Sequence, residues 1–204
     1  MLQTSCSNCD QLRSQLAEKD REIQALIAGI EDQARHDPFT GALNQRGLEE
    51  ALAVELQRAH RIGHPFCYVA VNFDRFKDVN EKYGYPIGDV VLKKVADTAA
   101  KFLRVLDRFG RVGGDQFGIV MPSTWLDQGL IAIERLTKGV SKLDWEAVAP
   151  GLTLTFSAGI TTNAPSDTSE SITQRAENAL RQAKRGGGNR TVEAEEPLPV
   201  QPPD

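Results

Sequence analysis

The sequence predicts an α+β fold, a domain of interleaved helices and strands that follows one N-terminal helix. Three observations carry that prediction. Two apolar runs rich in β-branched and aromatic residues, Pro65 to Phe73 and Leu152 to Thr161, have the length and composition of strands. Around them, segments such as Gln45 to His60 and Ile87 to Leu106 repeat apolar residues at helical spacing. The stretch Arg108 to Met121 holds Gly113-Gly114 between two β-prone halves and reads as a hairpin.

The first element is a helix whose positions Cys9, Leu12, Leu16, Lys19, Ile23, Leu26 and Ile30 alternate three and four apart, with charged and amide residues between them. That spacing is a heptad seam. A helix with so narrow an apolar stripe is marginal alone in water, so residues 1–35 are expected to form a coiled coil with a second copy or with a partner protein. The alternative is a helix lying on its own domain. Pro38 ends the helix because its ring disfavours helical geometry at Asp37, and the globular domain is expected over 36–192. Within it a helix runs from Gln45 to His60, a strand from Pro65 to Phe73, and a helix from Ile87 to Leu106 that places Val91, Val95, Phe102 and Leu106 on one face. After the hairpin come a helix from Leu126 to Leu143, the strand from Leu152 to Thr161, and a helix from Ser169 to Arg185 stopped by Gly186-Gly187-Gly188. The tail over 193–204, with four prolines and four acidic residues, is expected to be disordered.

Composition narrows the function classes. A chain of 204 residues, 40% hydrophobic and with a formal charge of -4, suits one domain plus extensions and argues against generic binding to a nucleic-acid backbone. An anion site must be local. No apolar run approaches the roughly 20 residues that span a bilayer, and no secretory pattern opens the chain, so no membrane insertion and a cytoplasmic location are expected. Cys6, Cys9 and Cys67 are too few and too scattered for a disulfide framework. Cys6 and Cys9 have the spacing of half a zinc site, but no second pair of ligands follows, and helix-surface thiols are the ordinary reading.

Five segments, in order, resemble the GGDEF domain of diguanylate cyclases over Asp37 to Val192. "DPFTGALNQRG" is similar to the family's D-x-L-T-G-L-x-N-R-R, and "NFDRFKDVNEKYGYPIGDVVL" to D-x-D-x-F-K-x-x-N-D-x-x-G-H-x-x-G-D-x-x-L. "RVGGDQF" stands for R-x-G-G-[DE]-E-F, "LTLTFSAGI" for T-x-S-x-G-[IV], and "ENALRQAKRGGGNR" for D-x-A-L-Y-x-A-K-x-x-G-R-N. The resemblance implies a palm-like, central antiparallel sheet wrapped by helices. It also implies a reaction joining two GTP molecules, one per subunit, into cyclic di-GMP. Mg²⁺ or Mn²⁺ would take part only in a catalytic protein, activating the attacking hydroxyl and screening charge on the phosphate; a domain without turnover needs no cofactor.

The departures from the family pattern cluster where the metals belong. The first-strand metal ligand falls on Asn72, a neutral amide, which leaves Asp115 as the remaining carboxylate of the pair. Asp74 offers another carboxylate on the same side of the strand, at a position usually structural in the family. The catalytic glutamate after Asp115 is Gln116, which can neither take a proton nor neutralise a cation. Tyr85 replaces the histidine of the G-H pair, and the arginine four residues after the phosphate-binding lysine falls on Gly188, with Arg190 nearby as a substitute. Asn80 and Asp89, which match the guanine-reading pair, and Lys184, which matches the triphosphate contact, are retained. On their own, Asn80 reads as a helix-surface amide and Asp89 as a carboxylate at a helix N-terminus.

A second motif is complete. Arg104-Val105-Leu106-Asp107 matches the family's R-x-x-D product-binding site (the I-site), and Arg135 matches the secondary arginine that completes it on a neighbouring domain. Arginine's planar fork suits guanine O6 and N7 or phosphate oxygens, and a carboxylate can accept from guanine N1 and N2. The plain reading is an Arg–Asp pair three apart at a helix end. The pattern therefore predicts a degenerate GGDEF domain that binds cyclic di-GMP in signal transduction and lacks efficient catalysis. A weakly active cyclase, with Asn72 and Asp74 still holding an ion, and a GTP-sensing or scaffolding module are the alternatives.

Overall fold

A computed structural model describes residues 3–195 of the chain, which divides between Arg35 and His36 into two compact units. The first unit is α1 (Gln3–Arg35). Along its expected seam Leu12, Leu16 and Ile23 are exposed, as is the thiol of Cys9. The side chains of Cys6, Leu26 and Ile30 lie outside the described residues, and so do residues 196–204, where disorder is expected. No helix among the described residues is long and apolar enough to cross a membrane.

In the second unit the order is α2 (Gln45–Ile62), β1 (Phe66–Phe73), α3 (Phe76–Tyr83), α4 (Tyr85–Phe102), β2 (Arg108–Gly113), β3 (Gln116–Pro122), α5 (Leu126–Ser141), β4 (Phe156–Thr162), α6 (Ser169–Arg185) and β5 (Thr191–Glu193). The strands form one sheet in the order β2-β3-β1-β4-β5. β1 pairs antiparallel with β3 and β4, and β2 with β3, whereas the short β5 runs parallel to β4. The sheet is therefore mixed at one edge.

β1 is central and buried on both faces, which is why its sequence is a nearly continuous apolar run. Cys67, Val69, Val71 and Phe73 join the core beneath α3, α4 and α5, while Phe66, Tyr68 and Ala70 pack under α2 and α6. Two helical layers thus enclose the sheet. Burial, with Asp127 adding to it, pushes the Cys67 thiol up to about 12, so this cysteine is a core residue and not a nucleophile.

Gly159 on β4 is where the second layer comes closest. A Cβ there would stand 2.0 Å from Ala176 O and 2.3 Å from Leu180 N of α6, both backbone atoms that cannot step aside. Gly159→Ala should therefore force α6 off the sheet and cost about 3 kcal/mol. In a domain of this size that lowers the melting midpoint by roughly 6–12 °C in a thermal scan; an unchanged midpoint would contradict this packing.

Several element ends differ from the expected ones, each for a local reason. The helix expected to reach Leu106 stops at Phe102, where Arg135 Nη2 donates to Phe102 O at 2.7 Å and Leu103 turns to extended geometry (φ -83, ψ 155). Leu106 is consequently 65% exposed and not on the buried face with Val91 and Val95. The strand expected from Leu152 starts only at Phe156, because Leu152 closes a turn onto Ala149 O, although Leu152 and Leu154 are buried. α3 and β5 are additional elements.

Candidate functional site

The hairpin tip is built by sequence. Gly113 pairs with Gln116, so Gly114 and Asp115 form a two-residue loop, and Gly114 has φ +54. A positive φ at the first loop residue is what the tight hairpin turns matching strand twist require. Arg111 Nε donates to Gly114 O at 2.9 Å and its Nη1 reaches Asp37 at 3.4 Å, which ties the tip to the start of the domain. Asn72, opposite Gln116 in the register, donates from Nδ2 to Asp115 O at a long 3.5 Å. The end of β1 and the hairpin tip thus meet as expected, but they bring together two amides and one carboxylate.

Asp74 does not add a free ligand. Its Oδ1 accepts from Ser157 Oγ (2.7 Å) and Lys184 Nζ (2.9 Å), and its Oδ2 from Thr155 Oγ1 (2.7 Å) and the Asn189 backbone N–H (2.8 Å). Burial alone would raise its pKa, but bonds from Lys184, Ser157, Thr155 and Asn189 outweigh burial and hold the carboxyl below the usual range. Four donors occupy both oxygens. Among the described residues no three His, Cys, Asp or Glu side chains gather as a metal site would need. Asn72, Asp115 and Gln116 offer a single anionic ligand, and this donor set does not fit the divalent cations implied for a catalytic member.

Lys184, expected at a triphosphate, is held by Asp74 and by Phe73 O at 2.6 Å. Gly188 has φ +78, and a Cβ there would lie 2.9 Å from Asp74 Oδ1, so an arginine at this position would strain the backbone and crowd the carboxylate. Arg190 folds back over the same turn, with Nε directed at Gly188 O at 3.4 Å. Tyr85 is exposed at the start of α4.

Asn80 and Asp89 stand on facing helices, α3 and α4. Asn80 presses on Gly88, where a Cβ would sit 1.9 Å from its Oδ1. That Oδ1 is buried with no hydrogen-bond partner. A buried acceptor without a donor costs about 1–3 kcal/mol, which a ligand N–H would recover.

At the far end of α4 the structure brings Arg104, Asp107 and Arg135 into one cluster. Arg104 N donates to Asp107 Oδ2 at 2.8 Å and Asp107 N to Arg104 O at 3.0 Å, a closed turn that leaves the Arg104 side chain exposed. Arg135 comes from α5 of the same domain, is anchored on Phe102 O and lies near Asp107 of its own chain. Burial raises the Asp107 pKa, with the Arg104 backbone bond and the charges of Arg104, Arg108 and Arg135 opposing it. Arg108, whose Nη1 donates to Val105 O at 3.0 Å, is a fourth member that the motif did not single out. Three guanidinium groups surround one carboxylate, a local concentration of positive charge on an acidic chain.

The family model described as "Diguanylate cyclase, GGDEF domain" matches residues 34–190. Diguanylate cyclase DgcP of Pseudomonas aeruginosa is 35% identical over 174 residues, covering 84% of this chain and 26% of that protein. The response regulator PleD of Caulobacter vibrioides is 35% identical over 160 residues, covering 76% of this chain and 35% of that protein. The chain thus spans between about a quarter and a third of the length of these curated relatives. Among solved structures, the coiled coil and GGDEF domain of DgcB from Caulobacter crescentus in complex with c-di-GMP superposes with a TM-score of 0.81 at 25% identity, covering 90% of this chain and 99% of that one. Diguanylate cyclase SiaD in complex with its activator SiaC from Pseudomonas aeruginosa gives 0.79 at 29% identity, covering 94% and 74%.

Proposed function

The chain belongs to the GGDEF family of diguanylate cyclases, and from that premise we propose that it is a receptor for cyclic di-GMP that has lost efficient turnover. One observation supports the reading: Arg104, Asp107 and Arg135 gather in one cluster open to solvent, while the hairpin tip offers Asn72 and Gln116 where a working site needs anions. Arg104 and Arg135 supply forked donors for phosphate oxygens or the guanine edge, and Asp107 an acceptor for guanine N–H groups. The ligand acts as a signal by binding one arrangement of the domains better than another, which shifts how the α1 helices pair with a second copy or a partner protein.

The test is calorimetric titration of the full chain with cyclic di-GMP, together with chromatography of an incubation with GTP and Mg²⁺ or Mn²⁺. Saturable binding with no product supports the receptor. No binding at tens of micromolar ligand removes it, and product formation abolished by Asp115→Ala assigns a cyclase instead. A paired substitution addresses cause: if the amides disable turnover, Asn72→Asp with Gln116→Glu should raise product formation at least tenfold over wild type. Equal output would place the defect elsewhere.

A second reading rests on Asn80, whose buried and unpartnered Oδ1 suits a guanine N1–H or N2–H. Under it the protein retains GTP at Asn80, Asp89 and Lys184 without converting it. Separate titrations with GTP and cyclic di-GMP distinguish the two readings, because the Arg104 cluster follows α4 whereas Asn80 lies on α3, and independent sites would be filled without mutual displacement.

A further inference from the structure

The cluster that follows α4 holds one guanidinium more than the R-x-x-D motif and Arg135 account for. Arg108 is the first residue of β2, its backbone fixed opposite Val120 of β3. Its exposed side chain folds back over the preceding turn, where Nη1 donates to Val105 O at 3.0 Å. That turn is the one closed by Arg104 N on Asp107 Oδ2 and by Asp107 N on Arg104 O. Resting on the receptor reading above, we propose that Arg108 is a fourth contact of the cyclic di-GMP site and donates to a phosphate of the dinucleotide.

Charge, donor count and rigidity point to that role. Arg108 and Arg135 are anchored on backbone carbonyls, Val105 O and Phe102 O, so neither anchor neutralises its charge. Glu134, next to Arg135 in sequence, is taken by Lys138 Nζ at 2.6 Å. Asp107 is then the one carboxylate set against the charges of Arg104, Arg108 and Arg135. Like charges held this close repel, and an anion carrying more than one charge relieves the repulsion best. Cyclic di-GMP has two phosphodiester groups, each an anion at neutral pH. A guanidinium has five N–H donors in a planar fork, and the bond to Val105 O uses one of them, which leaves donors for the two free oxygens of a phosphodiester. The same bond fixes the side chain before the ligand arrives and lowers the entropy lost on binding.

The experiment is calorimetric titration of the full chain with cyclic di-GMP, comparing wild type, Arg104→Ala, Arg108→Ala and Arg58→Ala, with melting midpoints measured alongside. Arg58→Ala removes the same formal charge from α2, where Arg58 pairs with Glu55. At about 50 mM salt Arg108→Ala is expected to bind at least about tenfold more weakly than wild type, with its midpoint unchanged. At about 500 mM salt the deficit should shrink to roughly threefold, because salt screens an exposed contact between charges. Arg58→Ala should stay within roughly twofold of wild type at both. A deficit that persists undiminished at high salt overturns the proposal, because it would assign Arg108 to the neutral base edge or to the turn. Equal weakening by Arg58→Ala also overturns it, because net charge would then explain the loss. No binding by wild type ends the receptor reading and this proposal with it. Binding that Arg104→Ala weakens and Arg108→Ala leaves unchanged overturns the assignment of Arg108 alone.

Discussion

Arg104→Ala is expected to bind cyclic di-GMP at least 100-fold more weakly than wild type, a loss of about 2.7 kcal/mol, with its melting midpoint unchanged. The two halves of that result have separate causes. The Arg104 guanidinium is exposed, and it is the backbone N–H of Arg104, not the side chain, that closes the turn onto Asp107. Truncation thus leaves the fold intact while removing a forked, charged donor, the kind of group that dominates recognition of phosphate and guanine. Arg104→Lys should recover only part of the affinity, since a point charge cannot make two parallel bonds. Asp107→Ala must be read differently, because it also frees the turn that holds the arginine. Calorimetry on these variants settles the role of the cluster; binding by Arg104→Ala within threefold of wild type would end the receptor reading.

The arginine cluster shows what a sequence can and cannot carry. The motif R-x-x-D is local, so its residues and their spacing were readable, and the apolar run of β1 was readable for the same reason. That Arg135 also meets the end of α4 in its own domain is not legible, because nothing in the sequence says that α5 passes there; the contact with Phe102 O joins residues 33 apart. The early end of α4 follows from that same long-range bond, which no helical periodicity could reveal. Asp74 is the clearest case. Alternation along the strand puts it on the Asn72 side, yet the donors that occupy it come from β4, the segment before it, the last turn of α6 and the loop after α6, 81 to 115 residues away. The sequence could name the carboxylate but not its engagement. α3 is not legible as a separate helix because eight residues give only two turns of pattern, Phe76 with Val79 and Tyr83.

Asp74→Ala is expected to destabilise the domain by about 3 kcal/mol, the range for breaking a largely buried ion pair and stranding its partners. Asp74 is 13% exposed and Lys184 30%, so solvent reaches the pair only in part. Loss of the carboxylate leaves the Lys184 ammonium, among the described residues, with Phe73 O as its remaining acceptor, and strands Ser157 Oγ, Thr155 Oγ1 and Asn189 N. The turn over Gly186 to Gly188 loses its anchor as well, so α6 should fray at its C-terminal end and hydrogen exchange there should quicken. The pH dependence gives a second readout. The folded pKa of Asp74 lies below its unfolded value, so its contribution is fully present above about pH 4 and disappears as pH falls through the depressed folded value. The stability gap between wild type and Asp74→Ala should accordingly be constant from pH 7 to pH 5 and shrink below pH 4. Asp74→Asn, which keeps one acceptor oxygen and no charge, should fall between the two at neutral pH. Denaturant titrations across that range provide the check, and a gap that widened on acidification would mean that the carboxylate is not the anion that holds Lys184.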